Sequence, residues 1–121
     1  MSRAFRTLIA AAGLMGAAGV GLAAMAAHDT DGSRLLPASA MLLFHACAVL
    51  GTVALAERAL VHRRIGLLAG FGFALAAALF SGDLVMRHVT GDRLFPYAAP
   101  AGGMLLIVSW LVLTLSAIWR G

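Results

Sequence analysis

Four long uncharged stretches, separated by short polar segments, organise this chain. Residues 7–27 contain 21 consecutive uncharged positions, and residues 35–56 contain 22. Two more stretches follow, of 18 residues at 65–82 and 20 residues at 100–119. A helix needs about 20 apolar residues to cross the hydrocarbon core of a bilayer. The pattern therefore predicts an all-α protein whose four transmembrane helices cover about residues 7–27, 38–57, 65–87 and 100–119.

The composition favours the same interpretation. The chain is 62% hydrophobic and 12% charged, and nine basic and five acidic residues are too few to cover the surface of a soluble domain of this length. We therefore predict one integral membrane bundle over residues 1–121. The arginines are scattered in short loops rather than gathered on one face with aromatic residues, so we expect no nucleic-acid partner.

The first stretch allows two interpretations. Arg3 and Arg6, the apolar run and the small-residue sequence Ala24-Met25-Ala26 also describe a cleavable signal peptide. The run is longer than the roughly 7–15 apolar residues of a signal peptide, and three further stretches follow it. We expect the first stretch to remain as a helix.

Small residues recur at helical spacing in two of the predicted helices. In the first, Gly13, Ala17 and Gly21 lie four residues apart, and Ala12 and Gly16 repeat the spacing one position earlier. In the third, Gly66, Gly70 and Ala74 have the same spacing. Such spacing predicts a face on which another helix can approach closely.

The distribution of arginine predicts the orientation of the bundle. Three arginines lie in the first and third loops, and six lie at the two termini and in the second loop: Arg3, Arg6, Arg58, Arg63, Arg64 and Arg120. Because short cytoplasmic loops carry the excess of basic residues, both termini are predicted to be cytoplasmic. We expect the membrane to be the bacterial plasma (inner) membrane.

His45 is a polar interruption deep in the second helix. Counted from Ala38 at 1.5 Å per residue, it lies about 10 Å inside the span. It can be a neutral imidazole hydrogen-bonded to a neighbouring helix, or it can relay protons or bind a ligand.

Asp83 is the acid closest to a hydrophobic span. The preceding run gives roughly 27 Å of helix, which places Asp83 at the outer membrane boundary. Arg87 follows by four residues, a spacing that brings both side chains to one helix face and permits an ion pair.

Five short motifs, in the same order along the chain, resemble those of one family of small membrane proteins. They are Ala23-Ala24-Met25-Ala26-Ala27-His28 (Gly-Ala-Phe-Gly-Ala-His in the family), Phe44-His45-Ala46-Cys47-Ala48-Val49 (Tyr-His-Ala-Leu-Ala-Leu), Phe80-Ser81-Gly82-Asp83 (Phe-Ser-Gly-Ser), Pro100-Ala101-Gly102-Gly103 (Pro-Ile-Gly-Gly) and Ser109-Trp110 (Gly-Trp). The chain therefore resembles the domain of unknown function 423 family, which includes transmembrane protein 256. The resemblance implies a four-span bundle and no established activity. Asp83 stands where the family usually has serine, so a role for its charge would not be general to the family.

The predicted topology brings several polar and small positions together in the outer half of the bundle. We expect His45 and Ser81 to hydrogen-bond between the second and third helices, and Asp83 to be held by Arg87 or by the start of the fourth helix. The candidate cluster comprises His28, His45, Ser81, Asp83, Arg87, Pro100, Gly102 and Gly103.

The same residues argue against bound cofactors and catalysis. His45 has no partner histidine at its own depth for axial haem ligation, and His28, Asp29 and Asp31 are too few for a metal site. Cys47 and His45 lie two residues apart on a helix and therefore point in different directions. We expect no cofactor, no metal and no enzymatic activity.

Two classes of function remain. The first is an accessory, assembly or structural component of a membrane complex, which packs against a larger protein or its own copies among membrane lipids. The alternative is a small proton-coupled transporter or channel that uses His45 and Asp83. The first is favoured because transport paths commonly use several ionisable residues, and His45 alone lies deep in a span.

Overall fold

A computed structural model describes residues 2–119, so Met1, Arg120 and Gly121 lie outside the described part. The described residues form four helices and no strand: α1 (Arg3–His28), α2 (Leu35–Glu57), α3 (Arg63–Thr90) and α4 (Ala98–Ile118). All four are long and apolar enough to cross a membrane. The predicted all-α class with four candidate spans is confirmed.

Helices α1 and α3 extend beyond the uncharged runs that predicted them. Ser2 Oγ accepts the backbone N–H of Phe5 at 3.3 Å and caps α1 ahead of the predicted start at residue 7. At the other end of α3, Gly91 takes a left-handed conformation with φ 81° and terminates the helix three residues beyond the predicted end at residue 87. The bounds differ because an uncharged run marks the part of a helix that suits lipid, whereas capping residues decide where the helix stops.

Helices α2 and α4 also begin earlier than predicted. Their first residues are Leu35 and Ala98, whereas the predicted starts were residues 38 and 100. Pro37 and Pro100 both lie in the first turn, where a backbone N–H has no intrahelical acceptor. A proline therefore marks the first turn of a helix without fixing its first residue.

Helix α3 holds the bundle together. It packs along α2 and along α4, while α1 packs along α2 and makes a smaller contact with α3. Within residues 2–119, α1 and α4 form no helix–helix interface of their own. The fold is therefore an open arrangement in which α4 depends on α3 for its position.

The two small-residue faces point in different directions. Gly66 and Gly70 of α3 are buried, and a side chain added at Gly70 would meet Leu8 of α1 at 3.0 Å. By contrast, Gly13, Ala17 and Gly21 of α1 are exposed, and a side chain added at either glycine would meet nothing within 4 Å.

Helix α1 instead turns Gly19 toward α2. Ser39 Oγ donates a hydrogen bond of 2.6 Å to the Gly19 carbonyl, and a side chain at Gly19 would overlap Leu43. Gly13, Ala17 and Gly21 therefore pack against no helix of the described chain, because the buried face of α1 lies on the opposite side of the helix. Close approach of a further helix on this face stays a prediction.

Candidate functional site

Asp83 lies at the junction of α3, the α3–α4 loop and α4. Its side chain is fully buried, with 0% exposure. One carboxylate oxygen accepts the backbone N–H of Leu94 at 2.9 Å, and the other accepts that of Ala99 at 3.1 Å. The second oxygen also lies 3.1 Å from Arg87 Nη2. The Asp83 carboxylate therefore connects α3 to the α3–α4 loop and to the first turn of α4.

The start of α4 explains why a carboxylate is useful there. The residue before the helix is Tyr97, which has φ 66° and makes no side-chain hydrogen bond to the first turn. The first amides of a helix have no intrahelical acceptor, and together they carry a partial positive charge. Asp83 supplies an acceptor and a negative charge from a neighbouring helix, so it serves as the cap that Tyr97 does not provide.

The left-handed conformation of Tyr97 has an energetic cost of its own. A residue with a bulky side chain in this region is strained by about 1–2 kcal/mol. The hydrogen bonds from Asp83 fix the chain on both sides of Tyr97, at Leu94 and Ala99. The strained turn is thus held by the two bonds that flank it.

Ser81 and Gly102 fix the distances between helices in the same region. Ser81 Oγ donates a hydrogen bond of 2.8 Å to the Ala38 carbonyl and links α3 to α2. Gly102 of α4 lies against the backbone of α3, where an added side chain would approach Phe80 N to 2.8 Å. Three of the four helices therefore meet closely around the segment that contains Ser81 and Asp83.

His45 is buried about two helical turns deeper along α2 than Ala38, the residue that Ser81 contacts. Its Nδ1 lies 2.9 Å from the Met41 carbonyl of its own helix, and its Nε2 accepts the indole N–H of Trp110 at 3.2 Å. Because a carbonyl only accepts and an indole N–H only donates, these contacts make Nδ1 the donor and Nε2 the acceptor. His45 thus bonds to α4 rather than to Ser81 of α3.

Aromatic rings surround this imidazole. The His45 ring centroid lies 5.7 Å from that of Phe73, 5.9 Å from that of Trp110 and 5.3 Å from that of Phe44. His45 therefore connects α2 and α4 within an aromatic environment.

The other members of the predicted cluster lie apart from these bonds. Pro100 and His28 are exposed, and a side chain added at Gly103 would meet nothing within 4 Å. Within residues 2–119, His28 makes no side-chain hydrogen bond, and no three His, Cys, Asp or Glu side chains come together in a group that could hold a metal ion. The predicted cluster is thus two separate sets of bonds, around Asp83 and around His45.

One contact at the same end of the bundle as Asp83 was not indicated by the sequence pattern. Asp29, next to the end of α1, lies 2.8 Å from His88 Nε2 near the end of α3. The Asp29 carboxylate also accepts the backbone N–H of Asp31 at 3.1 Å. The hydrogen bond from Asp31, followed by the contact with His88, holds the pKa of Asp29 below its ordinary value. The two residues are 59 positions apart in sequence, so local spacing could not have paired them.

Replacing His45 with phenylalanine should lower the free energy of unfolding by about 1 kcal/mol, because hydrogen bonds between membrane helices contribute about 0.6 kcal/mol on average and up to about 1.7. Unfolding in mixed detergent micelles measures the change. Trp110→Phe should cost a similar amount, and the double variant should lose little more than either single one, because both remove the same bond.

Cys47→Ala provides a matched control on the same helix. Cys47 is exposed, and its replacement should leave the free energy of unfolding within about 0.5 kcal/mol of the unaltered value. Fully additive losses from His45→Phe and Trp110→Phe would contradict the assigned bond.

Comparison with known protein families identifies the family of this chain. A family model described as "Protein of unknown function (DUF423)" matches residues 15–103. The chain belongs to the DUF423 family. The resemblance carried by the five sequence motifs is thereby confirmed. No solved structure matches this DUF423 protein.

The matched region of this DUF423 chain includes Ser81, Asp83 and Gly102 but ends before Trp110. Two features of the site were not predicted from the sequence. One is the pairing of His45 with Trp110, although Ser109-Trp110 was among the family-like motifs. The other is the use of the Leu94 amide, which lies in a loop without any motif.

Proposed function

We propose that this DUF423 protein is a non-enzymatic accessory or assembly component of a larger membrane complex. One observation carries the proposal: the side chains of His45, Ser81 and Asp83 inside the bundle are engaged in holding its helices. Both ring nitrogens of His45, both oxygens of Asp83 and the hydroxyl of Ser81 have hydrogen-bond partners in the chain. These groups serve helix packing and are not free to bind a substrate or to carry protons.

The outward face of α1 supports a packing role with a further helix. Gly13, Ala17 and Gly21 present a surface without large side chains on the side away from the bundle. Apolar side chains gain little by leaving lipid for a helix interface, so close approach between small residues favours association in membranes. A helix of a larger membrane protein, or α1 of a second copy, would fit this surface.

Orientation and location belong to the same proposal. The excess of arginine at the two termini and in the second loop supports cytoplasmic termini. We place the protein in the bacterial plasma membrane. Asp83 and the α3–α4 loop would then lie at the outer side, and surrounding lipids would contact the exposed apolar residues.

The alternative, a proton-coupled transporter or channel, would require His45 to release Trp110 in each cycle. It would also require Asp83 to give up its bonds to the start of α4. Proton-driven uptake into liposomes that contain this protein alone would overturn the accessory proposal.

Purification of the tagged protein in mild detergent, with identification of the proteins that accompany it, tests the proposal. In Ala17→Leu a large side chain fills the small-residue face of α1, and we expect at least a tenfold loss of the accompanying protein. Ala54→Leu makes the same exchange at an exposed position of α2 and should retain the complex.

The mass of the detergent-solubilised particle distinguishes the two kinds of partner. A particle that contains two copies of this chain, and that becomes monomeric in Ala17→Leu, would indicate self-association. Equal loss in both variants would show that α1 provides no specific surface, and retention in both would contradict the proposal.

A further inference from the structure

A cleft of about 1090 Å³ lies at the end of the bundle opposite Asp83. It is bounded by the start of α1, by the α2–α3 loop and the first residues of α3, and by the end of α4. The side chains that matter for its chemistry are Ser2, His62, Arg63, Arg64, Ser116 and Trp119. None of the residues of the candidate functional site lines this cleft.

Positive charge is left without neutralising side chains at this end. It carries the described arginines Arg3, Arg6, Arg58, Arg63 and Arg64. Within residues 2–119 none of the five lies within 4.0 Å of a carboxylate, and Glu57 is the one acidic side chain at this end. At the opposite end, Arg87 pairs with Asp83. The cleft thus combines space with an excess of cations.

Two helix starts and two helix ends meet at this side of the bundle. Helices α1 and α3 begin here, whereas α2 and α4 end here, so the positive and negative ends of the helix dipoles largely offset each other. The first amides of α1 and α3 already have acceptors in Ser2 Oγ and His62 Nδ1. The arginines therefore provide both the net positive charge and the free donors.

The arrangement of the walls suits a lipid better than a soluble anion. Arg63 is held in place, with its guanidinium carbon 4.9 Å from the centroid of the Phe5 ring. Leu67 and Trp119 supply apolar surface beside the charged groups, and exposed tryptophan is typical of the membrane–water boundary. Because α1 and α4 form no interface, helix packing does not separate this side of the cleft from the surrounding lipid.

We infer that this cleft binds the phosphate of an anionic phospholipid headgroup. Arg63 and Arg64 contact the phosphate oxygens, and the acyl chains extend along the open side between α1 and α4. Basic pockets between transmembrane helices bind anionic headgroups in this way in other membrane proteins. The inference is independent of the proposed accessory function, because it concerns the other end of the bundle and requires no protein partner.

Binding to the purified full-length protein in a neutral detergent tests this inference. A short-chain phosphatidylglycerol is titrated in one arm, phosphatidylcholine with the same chains in a second, and inorganic phosphate in a third. We expect saturable binding of phosphatidylglycerol, at least tenfold weaker binding of phosphatidylcholine, and no displacement of lipid by inorganic phosphate at the same concentration. Equal binding of the two lipids would overturn the inference, and displacement by inorganic phosphate would assign the site to a soluble anion.

Charge variants locate the site. The double variant Arg63→Gln/Arg64→Gln should weaken phosphatidylglycerol binding by roughly 10- to 30-fold, given the usual contribution of an arginine near an anionic surface. Arg34→Gln/Arg93→Gln removes the same charge at the opposite end and should weaken binding less than twofold. Equal weakening by both pairs would show that net charge, rather than the cleft, attracts the lipid.

The single variant Arg64→Gln leaves the contact between Arg63 and Phe5 intact. If loss of that contact unfolds the double variant, Arg64→Gln alone should still weaken binding about fivefold, since Arg64 is exposed. Unchanged binding by a folded Arg64→Gln protein would overturn the inference.

Discussion

Asp83→Ala is expected to lower the free energy of unfolding by about 3–5 kcal/mol, the usual cost of removing one partner from a buried ion pair. The variant leaves the amides of Leu94 and Ala99 without their acceptor. It also leaves Arg87 without its carboxylate, although Arg87 Nε is already buried without a partner in the described part of the chain. Unfolding in mixed detergent micelles, followed by the loss of helical circular dichroism, measures the change.

Two further variants separate the charge of Asp83 from its hydrogen bonds. Asp83→Asn keeps the shape and one acceptor oxygen, but its amide group must face a donor, so we expect an intermediate loss. Asp92→Ala removes an exposed acid from the neighbouring loop and should change the free energy of unfolding by less than about 0.5 kcal/mol. If Asp83→Ala were as mild as Asp92→Ala, Asp83 would not be the cap of α4.

Two of the contacts made by Asp83 could be predicted from the sequence. Asp83 and Arg87 lie four residues apart on one helix, and the structure contains the ion pair that this spacing permits. The start of α4 was the other predicted partner of Asp83, and the Ala99 amide of its first turn donates to the carboxylate. The Leu94 amide could not be predicted, because it lies in a loop without any motif that ends in a left-handed Tyr97. A left-handed conformation at tyrosine has no sequence signal.

The hydrogen bond of His45 could likewise be predicted only in part. Burial in lipid predicts that an imidazole seeks a hydrogen bond with a neighbouring helix. The choice of Trp110, which is 65 residues away, depends on the order in which the helices pack. Hydrophobicity is nearly uniform around α2 and α4, so periodicity does not indicate which face of either helix meets the other.

Small-residue patterns were equally ambiguous about direction. The spacing in α1 suits close packing on the side of Gly13, Ala17 and Gly21, yet the helix buries Phe5 and Leu8 against the bundle instead. Large apolar residues on one face of α1 fill the core of this chain. The small residues on the other face allow a helix to approach closely, whether that helix belongs to this chain or to another. The sequence could therefore predict a close contact without showing whether the contact lies inside or outside the chain.

Gly102→Ala is expected to lower the free energy of unfolding by about 1–3 kcal/mol, the usual cost of overpacking a close contact. A methyl group at this position would approach Phe80 N to 2.8 Å and the Ala76 carbonyl oxygen to 3.0 Å. Both are backbone atoms of α3 and cannot rotate away as the end of a long side chain can. Helix α4 must then move outward. Ala99 lies three residues before Gly102 on the same helix, so its hydrogen bond to Asp83 is loosened.

Gly103→Ala is the matched control, because a methyl group there meets nothing within 4 Å. Alanine is more favourable than glycine within a helix by roughly 0.5–1 kcal/mol, so this variant should be more stable than the unaltered protein. The opposite signs at adjacent positions follow from contact with α3 alone, since both exchanges alter helix propensity equally. If both variants were stabilised, α4 would not lie close to α3 at Gly102, and Asp83 would be too distant to cap it.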